Sequence, residues 1–99
     1  MSLKTDQKKR FRTIGHGLKP VVMIAGNGLS DGVRAELERA LLDHELIKVK
    51  LAVEEREDRR AIIEELCRVT KAELVQTIGK VILIYRESKK PKVTTSNVR

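Results

Sequence analysis

Apolar residues recur along the chain at two different spacings, and the alternation between them predicts seven elements. From Thr5 to about Gly15 the sequence is polar apart from Phe11 and Ile14, with Leu18 four residues further on. That spacing predicts a short helix with one apolar stripe and a strongly basic opposite face, stopped by Gly15 and Gly17. Lys19-Pro20 leads into a β-branched run over 21–25 that predicts a buried strand, with Pro20 at the first position, where a strand tolerates proline. The stretch 26–32, Gly-Asn-Gly-Leu-Ser-Asp-Gly, must turn sharply: Gly26 and Gly28 take positive φ without cost and Asn27 tolerates it. A second helix follows, capped by Ser30 and favoured by Asp31 in its first turn. Leu29, Val33, Leu37, Ala40 and Leu41 share one face, and the helix ends near His44.

The second strand is the clearest. Ile47, Val49, Leu51 and Val53 alternate with Lys48, Lys50 and Ala52, so one face is core and the other carries two lysines. Residues 54–70 predict a third helix capped by Asp58, with Ile62, Ile63, Leu66, Cys67 and Val69 inward. Residues 72–78, Gly79-Lys80 and 81–85 predict a hairpin whose last strand, apolar on both faces, is central or covered. The order αβαβαββ implies a parallel crossover at each helix between strands and an antiparallel final pair. The expected fold is α/β, or α+β by other classifiers, with a four-stranded mixed sheet packed on helices. One domain is expected over residues 1–88, with a basic, flexible tail over 89–99.

Charge changes this picture by its distribution. The 99 residues carry a net +7. Residues 1–20 hold Lys4, Lys8, Lys9, Arg10, Arg12 and Lys19 against Asp6; residues 74–99 hold Lys80, Arg86, Lys89, Lys90, Lys92 and Arg99 against Glu87. The second helix is net acidic, so the basic excess sits at the two ends, as a footprint for a polyanion requires. The turn at 26–28 fits the same ligand, because a helix N-terminus offers unpaired N–H groups and small residues let a phosphate reach them. It lacks the glycine spacing of a dinucleotide fingerprint and the Gly-Lys-Ser/Thr of a P-loop. An ordinary glycine turn between strand and helix explains the same residues without a ligand.

Aromatic residues are scarce, only Phe11 and Tyr85, which favours recognition of backbone and shape over base stacking. Lys48 and Lys50 are either a solvated surface or further phosphate contacts. The carboxylates of the second and third helices interleave with Arg34, Arg39, Arg59, Arg60 and Arg68 and are expected to form ion-pair faces, not an acid–base pair. A lone cysteine, no ligand cluster and no long apolar run argue against a disulfide, a metal and a membrane span, and a cytoplasmic monomer without cofactor is expected.

Three segments, LKPVVMIAGNGLSDGV, HELIKVK and IGKVILIYR, occur here in the order that characterises the YhbY family, the stand-alone bacterial form of the CRM (chloroplast RNA splicing and ribosome maturation) domain. The chain resembles that family from about Asp6 to Arg86. The resemblance implies a fold like the C-terminal domain of translation initiation factor three and association with ribosomal RNA in large-subunit precursors. It also implies RNA contact through a loop like the GxxG loop of KH domains. The family's loop usually reads Gly-x-Asn-Gly; here Ala25 stands at the first glycine and Gly26 follows it, while Asn27 and Gly28 match. The candidate RNA-binding residues are therefore Gly26, Asn27 and Gly28, with Lys8, Lys9, Arg12, Lys19, Lys48, Lys50 and Arg86 extending the contact. Two other functions remain open: a protein-interaction adaptor that docks a partner on the acidic second helix, and a small-ligand enzyme using Lys19, Ser30 or Asp31 beside the loop.

Overall fold

A computed structural model describes residues 3–99; residues 1 and 2, the start of the domain expected over 1–88, lie outside the described residues. Seven elements follow one another: α1 (Thr5–Gly15), β1 (Pro20–Ile24), α2 (Asp31–His44), β2 (Leu46–Leu51), α3 (Arg56–Thr70), β3 (Glu73–Ile78) and β4 (Val81–Tyr85). The strands form one mixed sheet in the order β1-β2-β4-β3. β1 runs parallel to β2, and β4 lies antiparallel to both β2 and β3. The final hairpin therefore inserts β4 into the centre, which is why Val81–Tyr85 can be apolar on both faces.

Alternation along the strands feeds two cores. Val22, Ile24, Ile47, Val49, Leu51, Ile82 and Ile84 face α2 and α3, where Leu37, Leu41 and Leu66 meet them. Leu46, Val75 and Leu83 face the other way and are covered by Phe11 of α1, with Ile14, Leu18 and Tyr85 at the margin. Gly15 is what lets α1 lie so close: a Cβ there would stand 2.7 Å from the Leu83 side chain. Cys67 packs half-buried against the larger core, and burial pushes its thiol pKa up, away from reactive thiolate.

Two local expectations are corrected. α3 starts at Arg56 with Glu55 as its cap residue, so Asp58 lies inside the first turn, where a carboxylate favours the helix without capping it. The ion-pair faces expected on α2 and α3 are largely missing: the four salt bridges among the described residues are Lys80–Glu54, Arg86–Glu38, Lys92–Asp43 and Arg99–Glu45. Arg59 instead donates to the carbonyl oxygens of Val53 and Glu54, tying the β2–α3 turn to its helix.

Residues 89–99, expected as a flexible tail, carry hydrogen bonds to the junction of α2 and β2, as does Ser88 just before them. Asn97 donates from its amide side chain to the Leu46 carbonyl and from its backbone to that of His44; Thr95 donates to the Asp43 carbonyl. The hub is Glu45, the single residue between α2 and β2, whose side chain is fully buried. Its carboxylate accepts from Arg99 (Nε 2.8 Å, Nη2 3.0 Å), the Ser96 hydroxyl (2.9 Å) and the Ser88 amide (2.8 Å). Arg10 of α1 donates to the Val98 carbonyl, so the two basic ends of the chain meet in space.

Candidate nucleic-acid interface

The turn after β1 is built by its backbone. The Gly28 amide donates to the Ala25 carbonyl at 2.9 Å, closing a turn with Gly26 and Asn27 at its tip. Gly28 has φ +70°, a left-handed conformation in which a side chain costs roughly 1 to 2 kcal/mol, so glycine is required there by the chain path. Gly26 is free of that requirement, and a Cβ at either position would meet open space. Ser30 then caps α2, accepting from the Val33 amide at 3.2 Å, as its place in the sequence predicts. The Arg34 amide begins the helical ladder on the Ser30 carbonyl. The amides of Asp31 and Gly32 have no protein acceptor among the described residues, which is the usual state of a first helical turn and leaves two donors beside an exposed tip.

The structure separates some of the basic candidates and joins others. Lys19 precedes β1 and therefore lies a strand length, roughly 15 Å, from the loop at its other end. It shares a hollow with Lys48, whose register partner is Pro20. Lys50 is one step closer to the loop, paired with Met23 of β1 and Val81 of β4. Lys48 and Lys50 both point to the side of the sheet on which α1 lies, since they alternate with the core residues Ile47, Val49 and Leu51.

On α1 itself, Lys8 and Arg12 are one turn apart and half-buried, on the flank opposite Arg10, while Lys9 is exposed. Arg86 differs from all of these. Its guanidinium donates to Glu38 at 2.7 Å and to the Thr70 carbonyl at 2.9 Å, with its side chain 19% exposed, so it is already occupied in holding α2, α3 and β4 together.

Neither aromatic ring is displayed for stacking. Phe11 is buried against Tyr85 with ring centroids 4.5 Å apart, and desolvation raises the Tyr85 hydroxyl pKa. A cleft of about 580 Å3 between α3 and β3 brings Arg56, Arg59 and Arg60 around Leu51 and Leu74. Its cations were hidden in the sequence by the acidic residues beside them; only the turn of α3 places all three toward one opening. Among the described residues no group of three His, Cys, Asp or Glu side chains is placed to hold a metal ion, and no helix is long and apolar enough to cross a membrane.

The family model for the CRS1 / YhbY (CRM) domain matches residues 3–86. The chain is 59% identical over 98 residues to the probable RNA-binding protein PA4753 of Pseudomonas aeruginosa, covering 99% of this chain and 94% of that one. It is 50% identical over 92 residues to a protein of Haemophilus influenzae named RNA-binding protein, covering 93% of each. A hypothetical protein of Staphylococcus aureus, solved in solution, superimposes with a TM-score of 0.79 at 35% identity, over 93% of this chain and 96% of that one. With a family match over nearly the whole fold and relatives this close over more than nine-tenths of their length, the chain belongs to the CRS1 / YhbY (CRM) domain family.

Proposed function

We propose that this protein is a non-enzymatic RNA-binding factor that grips ribosomal RNA by its phosphate backbone during assembly of the large ribosomal subunit. The observation that carries the proposal is the exposed turn at Gly26 and Asn27, held open by Gly28, directly before the unpaired first amides of α2. A phosphate seated there receives backbone N–H donors and the positive end of the helix dipole. Lys50, Lys48 and Lys19 continue the positive track along β1 and β2, and Lys8, Lys9 and Arg12 border it from α1. Arg86 contributes as a structural tie and not as an RNA contact.

Relatives named as RNA-binding proteins support the ligand class. The adaptor reading has less support, because three carboxylates on and just after α2 are already engaged: Glu38 by Arg86, Asp43 by Lys92 and Glu45 by Arg99. Crosslinking in growing cells, followed by sequencing of the RNA recovered with the protein, tests the ribosomal part of the proposal. Large-subunit ribosomal RNA is expected to dominate the recovered sequences; recovery without ribosomal RNA overturns the assembly role.

A further inference from the structure

α1 covers only one end of its side of the sheet. The rows through Leu46–Tyr85–Glu73 and Lys48–Leu83–Gln76 lie beneath it or at its edge, and their apolar members belong to the core around Phe11. The next row on the same side stays outside that core. Register places Met23, Lys50, Val81 and Ile78 side by side across all four strands, in the order β1-β2-β4-β3. Four strands span roughly 14 Å. Met23 is 59% exposed and Ile78 50% exposed, Val81 is half-buried, and Lys50 is exposed between them.

Three apolar side chains in one exposed row are more than a solvated sheet end needs, and their surroundings define the ligand. Met23 lies two residues before the turn that begins at Ala25. Lys50 stands within the row and Lys48 on the same face behind it, with the Lys8 and Arg12 flank of α1 beyond. No carboxylate belongs to the row. An apolar strip set among cations and continuous with a phosphate-binding turn matches a polymer with alternating anionic and flat apolar parts.

We infer that the row Met23–Lys50–Val81–Ile78 is a platform for the nucleobases of single-stranded RNA whose phosphates are held by the 26–28 turn and Lys50. The inference rests on the RNA-binding proposal above and adds to it a contact with bases. The faces of unpaired bases are apolar and can lie on aliphatic side chains where no aromatic ring is displayed; in a duplex those faces are stacked within the helix and out of reach. The expected preference is therefore for single strands, with little discrimination between bases, since contact with a base face does not read its hydrogen-bonding edge.

The test is fluorescence anisotropy with a short labelled single-stranded oligoribonucleotide and a hairpin duplex, comparing wild type with the double variant Met23→Thr, Ile78→Thr. Both side chains are solvent-facing and threonine suits a strand, so the fold is retained, as thermal melting checks. Single-strand affinity is expected to fall about tenfold, with duplex affinity and the slope of log K against log salt unchanged, because apolar contacts release no counterions.

Unchanged single-strand affinity in the folded variant overturns the platform and leaves the RNA proposal standing; absence of RNA binding by the wild type overturns both. Sedimentation of the free proteins covers the other occupant: self-association of the wild type that the variant abolishes assigns the row to a second copy of the chain and also overturns the inference.

Discussion

Replacing Gly26 and Asn27 together by aspartate is expected to weaken RNA binding about thirtyfold near 0.1 M salt while leaving thermal stability almost unchanged. Each substitution puts a negative charge within contact distance of the proposed phosphate position, and repulsion at about 4 Å costs roughly 1 kcal/mol even in water-like surroundings. Two such terms give the thirtyfold change. The choice of positions follows from the backbone. Gly26 and Asn27 sit at the exposed tip and neither has positive φ, so an aspartate is accommodated at both; Gly28, at φ +70°, would confound lost charge complementarity with strain. Filter binding or anisotropy measures the affinity, and a parallel melt separates binding from folding. Wild-type affinity in the folded double variant would remove the turn from the interface.

The largest effect on stability is expected at Glu45. Hydrogen bonding from Arg99, opposed by burial and helped by the Ser88 amide and Ser96 hydroxyl, lowers its carboxyl pKa from 4.5 to about 2. A carboxylate whose folded pKa lies below its unfolded value stabilises the fold above the unfolded pKa. Its contribution is therefore complete above about pH 5 and is lost as the pH falls from about 4.5 toward about 2.

The contribution is on the order of 2 kcal/mol, allowing for solvent screening around Arg99, whose side chain is 35% exposed. Glu45→Gln keeps the shape and removes the charge. Its melting temperature at neutral pH is expected to fall by about 10 °C, given 4 to 8 °C per kcal/mol for a domain of this size. The variant's stability should also vary less between pH 5 and pH 2 than the wild type's. Equal melting temperatures at neutral pH would show that the anchoring of the tail carries no stability.

Glu45 also illustrates where the sequence stops being informative. The helices and strands were legible because burial on one face imposes a period of 3.6 or 2, and Ile47, Val49 and Leu51 or Val33, Leu37 and Leu41 display it directly. A single connector has no period. Glu45 adopts φ 62° and ψ −47°, near the strained γ-turn, and its partners Ser88, Ser96 and Arg99 stand more than forty residues away. Nothing local distinguishes it from the solvated glutamates of α2.

The candidate interface divides in the same way. The turn at 26–28 was visible from its glycines and from the strand and helix around it, but which glycine is conformationally obligatory was not. The backbone assigns that role to Gly28 alone within the turn. Arg86 reads in sequence as one more exposed cation, and only the packing of α2 and α3 beside β4 brings Glu38 and the Thr70 carbonyl to its guanidinium. The row of Met23, Lys50, Val81 and Ile78 depends on register across four strands, including the insertion of β4 between β2 and β3, which no single segment encodes.

The proposed grip on RNA phosphates makes binding strongly dependent on salt, and a salt series measures that dependence. Binding of the wild-type protein to single-stranded RNA, measured between about 50 and 300 mM monovalent salt, should give a straight line of log K against log salt. With four or more phosphates engaged by the turn, the β1–β2 lysines and α1, and about 0.7 per phosphate for a single strand, the slope should be about −2.8 or steeper. A slope near zero at measurable affinity would contradict backbone recognition by this surface.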